Sequence, residues 1–175
     1  MRNGTIRGFG YGVYLRGVGN IAERLRADRN QTIGLNVGGE NSIVRNNLVV
    51  GTGRNASATG IYVTGPGMHV IDNEVMDTVE STGVAYGIRV NAAPGSVVER
   101  NVVSNRALGP TSSYGIWVAA LSGPAASVVG NRVAYMRDGI YFTAGTLGIY
   151  MDNTVGGATT AFSGGTAAGA TNFSY

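Results

Sequence analysis

A Gly-apolar-x-apolar step returns six times along this chain, at Gly12-Val13-Tyr14-Leu15, Gly34-Leu35-Asn36-Val37, Gly60-Ile61-Tyr62-Val63, Gly87-Ile88-Arg89-Val90, Gly115-Ile116-Trp117-Val118 and Gly139-Ile140-Tyr141-Phe142. The intervals between these glycines are 22, 26, 27, 28 and 24 residues. A near-constant period of that size without a helical pattern predicts a β-solenoid, in which each repeat is one coil stacked on the last.

A second repeat runs in phase with the first, with an apolar residue three before an Asn and another two after it: Val44, Asn47, Val49; Val70, Asn73, Val75; Val98, Asn101, Val103; Val128, Asn131, Val133. A fifth copy ends on Asn153 and Val155, with Tyr150 in the first apolar slot. Two phase-locked motifs require at least two strands per coil. Inward residues of successive coils stack about 4.8 Å apart, so an Asn at one position in every coil predicts an amide ladder that satisfies polar groups at a bend.

Composition supports this reading. A chain of 175 residues fits one domain, and 43% apolar residues can fill a long narrow core. Its 29 Gly and 4 Pro, with no collagen triplet, suit many tight corners. Residues 1–155 read as coils, and 156–175 as a last irregular coil or C-terminal cap. The net charge is +3, all 13 basic residues are Arg, and they are spread along the sequence. The densest cluster, Glu23, Arg24, Arg26, Asp28 and Arg29, is mixed in sign and reads as a solvated turn and strand edge, so no nucleic-acid partner is predicted. Without cysteine there is no disulfide framework, and no apolar run is long enough for a membrane helix, so no membrane partner is predicted. Met1-Arg2-Asn3-Gly4-Thr5-Ile6 reads as the start of a coil and not as a signal peptide. A raw first coil is expected to need a cap or neighbour.

The paired steps resemble the parallel β-helix repeats of the pectate-lyase-like superfamily, over roughly residues 1–155. The resemblance implies an all-β, right-handed parallel β-helix of about six to seven coils, each with three short strands and the Asn ladder between the second and third. By that similarity Gly87 to Val90 is a first strand, Ser96-Val97-Val98-Glu99 a second, Arg100-Asn101 the bend and Val102-Val103 a third. It also implies a polysaccharide lying across the outer face of the first strands, and an extracellular or cell-surface location. One such solenoid hosts lyases, hydrolases, phage tailspikes and inert binding modules, so the resemblance leaves activity open.

Alternation along the first strands sharpens the expectation. If Ile88 and Val90 point inward, Arg89 points out. The same rule puts Tyr14, Asn36, Tyr62, Arg89, Trp117 and Tyr141 in one outward column. Sugar rings pack their C–H faces on aromatic planes, so a Tyr-Arg-Trp-Tyr column is a candidate glycan platform with polysaccharide as partner. The alternative is a structural, spacer or adhesin module, a homo-oligomer in which the same aromatics are buried between subunits. Connections at 50–59, 76–86 and 104–114, followed by only 134–138, predict a wall of loops beside the column. They carry Arg54 and Asn55; Asp77, Glu80 and Tyr86; Arg106 and Tyr114. The candidate substrate-binding set is Tyr62, Tyr86, Arg89, Tyr114, Trp117 and Tyr141.

For a uronate lyase, Arg89 would neutralise the carboxylate, Tyr62, Tyr86 or Tyr141 would act as base or acid, and Asp138 is the nearest acid in sequence. The candidate catalytic residues are therefore Arg89, Tyr141 and Asp138. A glycosidase needs two carboxylates at defined separation. Asp77, Glu80 and Asp138 form no recognisable pair, and the Asn-Thr-Asp, Asp-Asp and Gly-His-Gly signatures of the polygalacturonase branch are missing. Lyase chemistry is thus favoured over hydrolysis if the chain is an enzyme. No calcium cluster, metal site or cofactor motif is read: His69 stands alone as a surface residue, and Gly34 to Gly39 lacks the helix and Lys-Ser/Thr of a phosphate loop. Asp72, Glu74 and Glu99, beside the Asn bend, read as partners for Arg45, Arg100 and Arg132.

Overall fold

The structure, a computed structural model, describes residues 1–53, 57–80, 82–106, 112–119, 123–169 and 171–175. Its regular elements are all strands, and every pairing between them is parallel. The first strands of the coils, Tyr11–Leu15, Ile33–Gly38, Ser57–Thr64, Val84–Asn91, Ser113–Ala119, Asp138–Phe142 and Thr160–Ser163, form one seven-stranded sheet in chain order. Second and third strands, such as Val97–Glu99 and Val102–Ser104, form two further faces. These faces join into a single 14-stranded sheet through Ile21–Asp28, where the first coil runs its second and third strands together. Five coils between residues 33 and 156 carry three distinct strands of three residues or more, with a partial coil at either end. The expected bend at Arg100-Asn101 lies between Val97–Glu99 and Val102–Ser104.

The two sequence repeats are in phase because their side chains interlock. A Cβ added to Gly34 would lie 2.5 Å from Val49 Cγ1 and 2.6 Å from the Gly60 carbonyl oxygen. Gly60 meets Val75 in the same way, Gly87 meets Val103, Gly115 meets Val133 and Gly139 meets Val155. The repeat glycine is therefore demanded by close approach of another strand, and only a residue without Cβ fits. Its empty side faces the core, as does the apolar residue after it. Gly87 and Ile88 are both buried, so the in-out alternation slips by one residue at each repeat.

The bend before each ladder Asn is made by a left-handed residue: Asn46 (φ 55), Asp72 (φ 54), Arg100 (φ 51), Gly130 (φ 65) and Asp152 (φ 57). That turn aims the next side chain inward. The Nδ2 of Asn47, Asn73, Asn101 and Asn131 each donates to Oδ1 of the next Asn at 2.9 to 3.0 Å, and the backbone N of each donates to the same oxygen. A sixth rung that the spacing rule missed is Asn172, whose Oδ1 accepts from Asn153 Nδ2 at 3.2 Å. At the other end Leu25 takes the rung position, and its backbone N donates to Asn47 Oδ1.

The core is a set of stacked Val and Ile columns, fully buried from Leu35 and Val37 through Ile140. Near the C-terminus aromatics replace them: Tyr150 packs 6.2 Å from Phe142 and stacks at 5.1 Å on Phe162.

Three expectations are corrected. The first strands start earlier than the repeat glycine suggests, at Ser57, Val84 and Ser113, which shortens the predicted loops. The Glu23 to Arg29 cluster is strand up to Asp28 and not a turn, and only its arginines, Arg24, Arg26 and Arg29, are solvated. In the strand Ile21–Asp28 its acids are buried, Glu23 6% and Asp28 8% exposed, beneath arginines from neighbouring coils. Arg45 accordingly pairs with Glu23 at 3.3 Å and not with the carboxylates of the bend. Arg100 does hold Asp72 at 2.8 Å and also pairs with Glu99.

Candidate functional site

Strand register brings the outward column together as read. Tyr14, Asn36, Tyr62, Arg89, Trp117 and Tyr141 are consecutive Cα partners across the seven-stranded sheet. Because alternation slips at the glycine, a second outward column stands three residues earlier, with Thr59, Tyr86, Tyr114 and Asp138 in register. Tyr86 and Tyr114, expected in loops, are thus strand residues inside the sheet. A signal for them was available: the residue directly before the repeat glycine is aromatic at Tyr11, Tyr86 and Tyr114.

The two columns converge on Arg89. Its guanidinium carbon lies 5.5 Å from the Tyr62 ring centroid, 4.8 Å from that of Tyr86 and 4.8 Å from that of Trp117. Each ring face attracts a cation, and a partly desolvated one strongly. Arg89 Nε is buried with no hydrogen-bond partner, and no carboxylate among the described residues pairs with the side chain. The rings continue from there. Tyr86 stacks on Tyr114 at 5.4 Å and meets Trp117 edge-on at 5.6 Å, and Tyr114 meets Tyr141 edge-on at 5.1 Å. Tyr62 is held by Asn91, whose Nδ2 donates to its hydroxyl at 3.1 Å.

Burial pushes the Tyr114 hydroxyl above the usual phenol range, helped by the charge of Asp138 and the neighbouring Tyr141 and Tyr86, with Arg137 opposing. Tyr114 therefore stays protonated and can donate a hydrogen bond at neutral pH.

The remaining candidates are dispersed. Asp138 and Tyr141 share one strand, but Arg89 lies two strands away, with Tyr114 and Trp117 on the strand between. Two strand spacings are about 10 Å. Asn36 faces outward in register yet is only 4% exposed, between Tyr14 and Tyr62, so it presents no amide to the surface. Tyr14 is exposed at the far end and accepts a 2.9 Å hydrogen bond from Arg16. Asp77 pairs with Arg106 at 2.9 Å, and Glu80 Oε1 accepts from the Thr82 backbone N at 3.2 Å. Arg54 and Asn55 lie outside the described residues. His69 is exposed on a second strand, on a different face.

Among the described residues no three His, Cys, Asp or Glu side chains group closely enough to hold a metal, and no helix is long and apolar enough to cross a membrane. Comparison with curated proteins and with solved structures gave no match. A family model described as right handed beta helix region matches residues 1–168. Stacked parallel coils, a buried Asn ladder and that match over nearly the whole chain agree, and the protein belongs to the right-handed β-helix region family.

Proposed function

We propose that this β-helix binds a polysaccharide along the outer face of its seven-stranded sheet, over Tyr62, Tyr86, Arg89, Trp117, Tyr114 and Tyr141. The observation that carries the reading is Arg89, a guanidinium framed by three aromatic rings and paired with no carboxylate of the described chain. The five rings are half-buried, and the aromatic area they leave on the sheet is costly unless something covers it. Sugar C–H faces cover such rings, and the free edge of a guanidinium suits sugar hydroxyls or a sugar carboxylate. Binding is favoured over turnover because a base must stand within about 3 Å of the proton it takes. Tyr141 and Asp138 stand two strands from Arg89, and of the two phenols beside its guanidinium, Tyr62 and Tyr86, the Tyr62 hydroxyl already accepts from Asn91.

The test is a panel of neutral and acidic polysaccharides, read by calorimetry and by the ultraviolet absorbance of unsaturated ends. Saturable binding abolished by Trp117→Ala and weakened by Arg89→Ala is the expected result. Unsaturated product lost on Arg89→Ala would convert the platform into a lyase site. Absence of binding to every glycan, combined with a drop in oligomer size on Trp117→Ala, would replace the reading by a subunit interface.

A further inference from the structure

The N-terminal coils carry a charge excess that the aromatic face does not use. Residues 1–53 hold seven arginines against Glu23, Asp28 and Glu40, whereas the rest of the chain holds six arginines and seven acids. Folding gathers part of this excess at the corner where third strands turn toward the next coil. A groove there is lined by Arg26, Asp28, Arg29, Gly51, Asp77 and Arg106, contributed by four successive coils. Gly51 is one of its lining residues. It is left-handed (φ 66), directly in line with Arg29, and a Cβ at that position would stand 3.4 Å from Arg29 Cγ.

The ion pairs leave the groove unbalanced. Asp28 faces three guanidiniums, Arg7 at 3.4 Å, Arg26 at 3.9 Å and Arg29 at 4.0 Å. Asp77 is taken by Arg106, at 2.9 Å to the side chain and 3.1 Å to the backbone N. Two carboxylates thus serve four arginines. The Arg26 and Arg29 contacts are the longest, so these two heads have most of their donors unspent. Like charges held in one cleft repel, and an anion between them relieves the repulsion while accepting from both forks.

We infer that this corner is an oxyanion site that takes a phosphate or sulfate group, with Arg26 and Arg29 as its ligands and Arg106, beyond Gly51 and Asp77, as a third donor. It shares no residue with the aromatic platform, so it stands or falls independently of glycan binding there. Arginine forks match tetrahedral oxyanions through paired N–H donors.

The protein is titrated with inorganic phosphate and separately with inorganic sulfate at fixed chloride, following heat and the arginine Nε–H signals by NMR. Saturable binding is expected, weakened at least about tenfold in Arg26→Gln/Arg29→Gln and unchanged in Arg132→Gln, an exposed arginine on another part of the solenoid. Arg106→Gln, whose side chain is 87% exposed, provides a variant whose fold is not at stake and is expected to weaken binding as well. Phosphate affinity that rises as its second proton leaves, with sulfate affinity flat in pH, identifies the phosphate dianion as the preferred form. Saturation by sulfate alone identifies a sulfate site. Shifts that never saturate with either anion, or an equal loss in Arg132→Gln, would overturn the inference.

Discussion

The side chain that Gly87 lacks is replaced in space by Cγ1 of Val103, which belongs to the other repeat of the same coil. Gly87→Ala forces that methyl group away and also presses on the Gly115 carbonyl oxygen, 2.7 Å from the added carbon. Overpacking of this kind costs about 1–3 kcal/mol. Val103→Ala opens the space again, so urea unfolding is expected to show the double variant more stable than the sum of the single changes. Strict additivity would remove the interlock as the reason the two repeats keep phase.

Asn101 is tied on four sides. Its Nδ2 donates to Val70 O and Asn131 Oδ1, and its Oδ1 accepts from the backbone N and the Nδ2 of Asn73. Asn101→Ala takes the acceptor from the buried Asn73 backbone N and removes one bond each from Asn73 Nδ2, Val70 O and Asn131 Oδ1, and a buried orphan costs about 1–3 kcal/mol. Asn172→Ala removes a part-buried rung at the end of the ladder and is expected to cost about 1 kcal/mol. Chemical denaturation of the two variants checks the ranking; equal losses would mean the rungs are not cooperative.

Glu23 gives the fold an acid limit. Burial raises its pKa, but the hydrogen bond and charge of Arg45, with Arg2 and Arg24, outweigh this and hold it below its ordinary 4.5. A depressed carboxyl pKa contributes stability that is full above the unfolded value and is lost as pH falls through the folded one. Thermal midpoints are therefore expected to show wild type above Glu23→Gln at pH 7, with the gap closing below about pH 4.5. A gap independent of pH would assign the effect to packing.

Tyr114 sets the opposite limit. Its raised pKa means the folded state holds the phenolic proton more tightly, so its contribution is present below the ordinary value of 10.0 and is lost as pH rises through the folded value. Tyr114→Phe is expected to blunt alkaline destabilisation, measured as the loss of thermal midpoint between pH 8 and pH 11 on the usual tyrosine scale.

Trp117 is the only Trp of the chain, so its fluorescence reports the platform directly. Glycan binding is expected to change its emission, and Arg89→Lys, which keeps the charge but loses the planar fork, is expected to weaken binding more than Asp138→Ala does. The reverse ranking would move the site toward Tyr141 and Asp138.

Much of this was legible in the chain. The glycines of the first repeat and the asparagines of the second named the coil, its bend and its ladder, because a solenoid imposes the same environment at the same position of every coil. Asn172 escaped because its segment no longer keeps the spacing, and Tyr86 and Tyr114, though named in the candidate binding set, were expected in loops because strict alternation was carried through a glycine where the strand slips. Some arginines that look spread along the sequence meet once the coils are stacked, Arg2, Arg24 and Arg45 on Glu23 and Arg26, Arg29 and Arg106 in one groove.

The sequence by itself determined the period, the inward residues and the outward column, since these follow from local spacing and from which side chains tolerate burial. Only the tertiary structure decided what Arg89 touches, which acid each arginine shares and how far Asp138 stands from both. Those depend on side chains of different coils meeting across strands about 4.8 Å apart, a neighbourhood that no single repeat contains.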